Sequence, residues 1–502
     1  MTGPAPWTAD FIGVGPGGAD SYRAAIASVT AQLGALFEAA TKPYSGAGPQ
    51  DVDAGIARAL ASPLTAPVGP LSHAIAELMG LVAPHAIIVQ HPRTIAHLHT
   101  PPLIASLAAE QIISALNQSM DSWDQSAAAT FVEQHIITWL LRTFGMGADA
   151  EGNITSGGTQ GNQMGLLLAR DAAVARMSGE SVQHDGLPPY ASKLRVLCSD
   201  QAHFTVQKSC ALLGLGARAV VTVPTDPNGV MLAALLEPKI AELRAEGLLP
   251  FAIVATAGTT DHGAVDPLAQ IADIAQEHGL WLHVDAAYAG ALILTRHRHR
   301  LNGIGRASSV AIDFHKLFYQ AIGCGALLLS DRRHYDHMRE HADYLNRADD
   351  PLPNLVETSL ATTRRAEALK LFLSLRALGT ERIGQMIEHT IDLTQAAAAD
   401  VMARPALQLL AKPELTTVLF RFVGTVPPAC VDAVNAGLRM SLLLSGDAVL
   451  GETRLGGAVA LKLTLLNPCL TPATISDLLC LVVERGHAVA AEAGSALVQD
   501  AA

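Results

Sequence analysis

Charge is scarce in this chain. Only 16% of its 502 residues are Asp, Glu, Lys or Arg, and 46 acidic against 34 basic residues leave a net charge of −12. A nucleic-acid binder presents a basic patch or tail, and none is found. The densest basic run, Arg296-His297-Arg298-His299-Arg300, reads as a solvated loop. Cysteine is sparse too. Cys198, Cys210, Cys324, Cys430, Cys469 and Cys480 are scattered with no C-x-x-C pair, which fits reduced thiols in the cytoplasm better than a disulfide framework or a zinc site. No apolar run reaches the roughly eighteen residues of a membrane span. Met1 to Gly18 has no basic start followed by an apolar stretch, so it does not read as a secretory signal.

What is present is hydrophobic residue, at 50% of the chain. That is enough for a large core, and the length predicts two or three structural units. Residues 1–90 read as helices broken by Pro/Gly loops, as at Ser21–Ala40 and Leu71–Leu81. Gly13-Val14-Gly15-Pro16-Gly17-Gly18 matches G-x-G-x-x-G, but no strand precedes it and no βαβ unit follows, so it reads as a loop.

Across residues 91–375 short apolar runs alternate with helical stretches. Leu194–Cys198, Ala219–Val223, Phe251–Thr256, Leu280–Val284, Val310–Ile312 and Gly325–Leu329 read as buried strands. Thr205–Leu213, Met231–Glu246 and Pro267–His278 read as the helices between them. This alternation predicts an α/β unit with a mainly parallel sheet. Residues 376–502 hold a long helical stretch, strands at Thr416–Phe422 and Ala460–Leu465, and a last helix, predicting a smaller α+β domain.

Five segments carry candidate chemistry, each at a strand end or helix start, where open α/β sheets bind ligands. Ser156-Gly157-Gly158-Thr159-Gln160-Gly161-Asn162 precedes an apolar helix; its glycines and free N–H groups suit an anion such as phosphate, or equally a capped tight turn. His203, in Ser199-Asp200-Gln201-Ala202-His203-Phe204-Thr205, is placed to stack on a planar group, or to serve as a loop histidine. Ala255-Thr256-Ala257-Gly258-Thr259-Thr260 is the third segment. In the fourth, His283-Val284-Asp285-Ala286-Ala287-Tyr288, Asp285 ends a very apolar strand and needs a cationic partner unless it caps a helix. A protonated pyridine nitrogen is such a partner, and the small Ala287 lets a flat ring approach. In the fifth, Ser309-Val310-Ala311-Ile312-Asp313-Phe314-His315-Lys316, a lysine at a buried strand end is poised to attack an aldehyde; alone it would read as a surface lysine.

In this order the segments resemble the pyridoxal phosphate (PLP)-dependent group II decarboxylases, which have the aspartate-aminotransferase-like fold (fold type I). The resemblance spans about residues 80–480 and rests on S-G-G-T-x-x-N, H-V-D-A-A-Y and D-F-H-K. It implies that Lys316 forms the Schiff base, Asp285 pairs with the pyridine nitrogen, and His203 stacks on the ring and faces the substrate carboxylate. Gly158, Thr159, Ser309 and His315 would surround the phosphate. Thr256 would lie near Asp285 and the ring hydroxyl, and Ala287 against the other face. These residues would bind the cofactor, with Lys316, His203 and Asp285 also catalytic.

Longer stretches are similar to bacterial L-2,4-diaminobutyrate decarboxylases: Ala96–Pro101, Asn117–Ser126 and Thr362-Thr363-Arg364-Arg365, with Gln320 and Cys324-Gly325 following D-F-H-K. Lysine and ornithine decarboxylases of siderophore pathways are similar in the same places. The expected reaction is decarboxylation of L-2,4-diaminobutyrate to 1,3-diaminopropane by a cytoplasmic homodimer. Thr100, Asn117, Asp121, Asp124 and Arg365 are the candidate substrate residues. Alternatives are lysine or ornithine decarboxylation, decarboxylation of glutamate or aspartate, and an aminotransferase using Arg365. A metal hydrolase on His91, His97 and His99 lacks a known ligand spacing, so no metal is expected. Two departures from the family pattern stand out. Leu317 follows the lysine where many members have Trp. The loop Asn346–Leu360 has no tyrosine, with Tyr344 just before it, so the proton donor is not identified.

Overall fold

The computed structural model describes residues 7–60, 67–347, 349 and 351–500. Met1–Pro6 of the N-terminal loop, and Ala348 and Asp350 of the loop after Tyr344, lie outside the described residues.

A seven-stranded sheet forms the centre. Its strands lie in the order Glu151–Thr155, Gly325–Leu329, Ser309–Asp313, Trp281–Asp285, Leu249–Thr256, Leu194–Ser199, Val220–Val223. The last five are mutually parallel, and Gly325–Leu329 runs antiparallel to both of its neighbours. Every strand except Gly325–Leu329 therefore points the same way, and their carboxyl ends meet along one sheet edge. The apolar runs reflect burial on both faces, as parallel sheets require: all five residues of Trp281–Asp285 and of Ser309–Asp313 are buried. Helices Gly158–Ser178, Thr205–Leu212, Leu236–Ala245 and Leu268–His278 cover the sheet. Gly279, with φ +63°, takes the left-handed conformation that ends the last of these.

A second, five-stranded sheet has the order Thr94–Ile95, Val449–Leu455, Ala458–Thr464, Thr417–Phe422, Leu407–Leu409. It packs with helices Val431–Leu444 and Pro472–Asp500 around Phe420, Phe422, Leu438 and Leu461. Thr94–Ile95 thus adds to the C-terminal sheet, although it precedes the large sheet in sequence. The helix Ala368–Met402 spans both units and is interrupted at Gly379 (φ 74°, ψ 164°).

The N-terminal helices Asp20–Ala39, Pro49–Ala59 and Leu71–Val82 bury no residue fully within one chain. Among the described residues no helix is long and apolar enough to cross a membrane.

Candidate active site

The shared sheet edge opens into a cavity of about 380 Å³. Five of the six strands that point the same way each deliver one part of its wall. Glu151–Thr155 ends in the turn Ser156-Gly157-Gly158, and the helix Gly158–Ser178 starts there. Leu194–Ser199 leads to His203, Leu249–Thr256 ends on Thr256, Trp281–Asp285 ends on Asp285, and Ser309–Asp313 leads to His315 and Lys316. The cavity is lined by Gly158, Thr159, His203, Thr256, Asp285, Ala287, His315 and Lys316, eight of the nine cofactor residues expected from sequence.

The ninth, Ser309, is a correction. It begins the strand that Asp313 ends, and four residues at about 3.3 Å each put it on the order of 13 Å from that carboxyl end. Its hydroxyl is fully buried, 2.8 Å from Trp281 Nε1 and 2.7 Å from His283 Nδ1. It cannot lie around a phosphate at the cavity.

The glycine turn packs tightly. A Cβ on Gly158 would come within 2.9 Å of Ala287 Cβ, and one on Gly157 (φ +146°) within 2.8 Å of His315 Cε1. Gly158 N donates to Asp313 Oδ1 at 2.5 Å, and Asp313 Oδ2 holds Lys316 Nζ at 3.0 Å. Asp313 thus ties the lysine to the glycine turn, a role not assigned from sequence although the residue stands in D-F-H-K. His315 is oriented from behind, with Nδ1 2.9 Å from the Cys324 carbonyl oxygen. A second carboxylate, Asp285, accepts from Ala287 N at 3.1 Å and from Asn162 Nδ2 at 2.8 Å. Burial lowers the pKa of His203, opposed by the charge of Asp285. Its Nδ1 lies 2.9 Å from Thr205 Oγ1. Thr256 Oγ1 is buried with no hydrogen-bond partner among the described residues. Tyr288 also faces the cavity, and its hydroxyl bonds Thr416 Oγ1 at 2.6 Å, fastening the cavity floor to the second sheet.

These residues fit a flat phosphorylated pyridine. The turn leaves only glycine-sized backbone against the cavity, a helix N-terminus meets the anion, and the Thr256 hydroxyl is free to bond. Asp285 offers charge to a ring nitrogen, and Lys316 offers an amine to an aldehyde. A family model described as "Pyridoxal-dependent decarboxylase conserved domain" matches residues 63–423. The chain belongs to this family. It is a PLP-dependent amino-acid decarboxylase.

Among its relatives, an L-2,4-diaminobutyrate decarboxylase of Acinetobacter baumannii is 44% identical over 413 residues, covering 80% of this chain and 81% of that protein. One of Rhizobium meliloti is 44% identical over 412 residues, covering 82% and 81%. A Vibrio parahaemolyticus crystal structure, of the glutamate decarboxylase domain of a diaminobutyrate-pyruvate transaminase and L-2,4-diaminobutyrate decarboxylase, superimposes with a TM-score of 0.89. It is 45% identical and covers 96% of this chain and 99% of that one.

When bound, PLP supplies an electron sink for the bond that breaks at the substrate Cα. The residues that would hold it are Lys316 by its amine, Asp285 by its charge toward the ring nitrogen, and the glycine turn with its helix N-terminus toward the phosphate.

The five candidate substrate residues do not line the cavity of their own chain. Thr100 is buried, with Oγ1 3.3 Å from the Pro101 carbonyl oxygen. Asn117 ends the helix Ile104–Leu116 in the left-handed conformation (φ 47°) and is exposed. Asp121 is buried and accepts from Ser122 N at 2.8 Å. Asp124 is exposed and accepts from Ser122 Oγ at 2.6 Å. Arg365 pairs with Glu110 at 2.6 Å and Glu367 at 3.2 Å. Arg365 is absent from the wall of the lysine-bearing cavity, which disfavours the aminotransferase alternative. Among the described residues no group of His, Cys, Asp and Glu is placed to hold a metal ion.

Proposed function

We propose that the chain decarboxylates L-2,4-diaminobutyrate to 1,3-diaminopropane as a homodimer. The observation that carries the substrate is the 44% identity, over four fifths of the chain, to two proteins named for that activity. Relatives named for acidic amino acids or cysteine sulfinic acid are 31–34% identical.

The chemistry of the diamino acid supports the same reading. Its distal ammonium needs an anionic partner inside a closed site, because an unpaired buried charge costs several kcal/mol. Asp121 is spent on its own backbone. Asp124 is exposed on its own chain, next to the exposed Gln125, so it is available to a cavity of the second subunit. A carboxylate there would repel glutamate and aspartate. The test compares kcat/KM for diaminobutyrate, ornithine, lysine, glutamate and aspartate on the parent, Asp121→Asn and Asp124→Asn. Diaminobutyrate is expected to lead on the parent, and Asp124→Asn to lower that lead by about tenfold, the effect of one lost charge-assisted contact. Glutamate or aspartate as best substrate would overturn the diamino reading. An unchanged ranking in both variants would place ammonium recognition elsewhere.

The dimer is supported by apolar surface that a single chain leaves uncovered. Phe37, Leu71, Leu78 and Val82 are exposed on the N-terminal helices, and Ile104, Leu107, Ile112 and Leu116 on the following one. Patches of this extent mark association surfaces. Ile322 lines the cavity and is 64% exposed, and the neighbouring Ala321 N donates to Ser106 Oγ of the helix Ile104–Leu116, so that helix adjoins the site. Light scattering should give the mass of two 52.5 kDa chains. A fully active monomer is the result that excludes a shared site.

A further inference from the structure

From Asn162 and Asp285 in the cavity wall, a row of polar side chains runs into the apolar layer between the sheet and the helix Gly158–Ser178. Asn162 is 2% exposed, and His283 and Ser309 are fully buried. Trp281 Nε1 lies 2.8 Å from Ser309 Oγ, and Ser309 Oγ 2.7 Å from His283 Nδ1. His283 Nε2 lies 2.9 Å from Asn162 Oδ1. Asn162 Nδ2 reaches Asp285 Oδ2 at 2.8 Å and Thr205 Oγ1 at 2.9 Å. Thr205 Oγ1 reaches His203 Nδ1 at 2.9 Å. The row joins the Asp285 carboxylate to His203, both in the cavity wall.

The direction of each bond follows from donor chemistry. An ionised carboxylate only accepts, so Asn162 turns its amide NH₂ to Asp285, and its carbonyl oxygen therefore faces His283. That oxygen also only accepts, so His283 Nε2 carries a proton. Burial lowers the pKa of His283, opposed by Asp285, and a neutral ring leaves Nδ1 bare. Ser309 then gives its single hydroxyl proton to Nδ1. Its remaining lone pairs take the Trp281 N–H, a group that can only donate. On the other branch, the second proton of the Asn162 amide goes to Thr205, whose hydroxyl proton goes to His203 Nδ1. The Thr205 backbone N–H also points at that nitrogen, at 3.4 Å. His203 Nδ1 is an acceptor, and Nε2–H is left as the ring's free donor.

We propose that Asn162, His283, Ser309 and Trp281 are positioning residues that fix the Asn162 amide as a donor to Asp285 and fix His203 in the Nε2–H tautomer. His203 then offers the substrate carboxylate a hydrogen bond rather than a lone pair. Asp285 keeps two donors on its oxygens while it faces the ring nitrogen. This holds for any amino-acid substrate, so it does not depend on the choice of diaminobutyrate. The helix Gly158–Ser178 is shaped around the row: a Cβ at Gly165 would come within 2.5 Å of His283 Nδ1 and 3.2 Å of Ser309 Oγ.

Removing the Ser309 hydroxyl leaves the Trp281 N–H and His283 Nδ1 without their partner. His283 is then free to take the other tautomer, and the Asn162 amide to rotate its oxygen against Asp285. Neutron diffraction from perdeuterated crystals of the PLP-loaded parent should show deuterium on Nε2 and none on Nδ1 of both His203 and His283. Deuterium on Nδ1 of either ring overturns the proposal. In solution, Ser309→Ala should raise the PLP dissociation constant about tenfold or more, the range for a disturbed hydrogen bond to a charged group. It should lower kcat with little change in KM. Ser309→Thr, which keeps the hydroxyl, should restore most of both. A Ser309→Ala dissociation constant within twofold of the parent, or a Ser309→Thr as impaired as Ser309→Ala, overturns it as well. If Ser309→Ala does not fold, the deuterium positions in the parent decide alone.

Discussion

Lys316→Ala is expected to keep the fold and lose turnover by on the order of 10³–10⁴-fold, the range for removing a group that works in proton transfer as well as attachment. Lys316 is the lysine of the cavity wall, and its Nζ is steered by Asp313 Oδ2 at 3.0 Å. Among the described residues no other lysine lines that cavity. Borohydride reduction of the parent followed by peptide mapping should place the pyridoxyl group on Lys316. A label on Lys193 or Lys208 would sink the assignment. The variant should still bind PLP through the glycine turn and Asp285, but reversibly, so dialysis should strip it. The Asp313 pairing adds a finer expectation. Asp313→Asn keeps the acceptor for Gly158 N but loses the charge that holds Nζ, so it should slow re-attachment of PLP more than it weakens binding. Stopped-flow absorbance during reconstitution measures the two separately.

Much of the site could be read from sequence, because strand ends carry their chemistry in short contiguous motifs. H-V-D-A-A-Y and D-F-H-K each follow a run of apolar residues, and parallel topology brings such ends to one edge. Ser309 was misplaced for the same reason. It sits beside the motif in sequence but at the opposite end of the strand, and strand length, not adjacency, decides which end faces the cavity. Asn162 was visible in S-G-G-T-x-x-N, yet its role depends on His283 and Asp285, 121 and 123 residues away. No local pattern reveals that pairing. The strand Glu151–Thr155 was missed because Glu-Gly-Asn-Ile-Thr lacks the apolar run of its neighbours. Its backbone pairs with the antiparallel Gly325–Leu329, and the helices Ala128–Thr143 and Gly158–Ser178 pack against it. The strand Val449–Leu455 was missed likewise, its outer half being exposed or half-buried.

Asp285→Ala should be the second severe variant, and its cost should appear both in cofactor retention and in turnover. In the parent the carboxylate is 6% exposed and accepts from Ala287 N and Asn162 Nδ2. It is held at the strand end and has no freedom to turn toward solvent. Facing a protonated ring nitrogen, it would form a buried pair, and removing one partner of such a pair costs about 3–5 kcal/mol. At 1.4 kcal/mol per tenfold this is roughly a 10²–10⁴-fold loss, divided between PLP affinity and rate. Asp285→Asn separates charge from shape. Its carboxamide fills the same space and can still accept from Ala287 N, but it offers the ring nitrogen no negative charge. If charge is what matters, Asp285→Asn should lose nearly as much kcat as Asp285→Ala at saturating PLP. If packing is what matters, it should stay within a few-fold of the parent. Circular dichroism should show all three proteins folded, since the strand Trp281–Asp285 is held by its parallel neighbours on both sides. Activity of Asp285→Ala within a few-fold of the parent at saturating PLP would remove Asp285 from the reaction and leave it a structural cap.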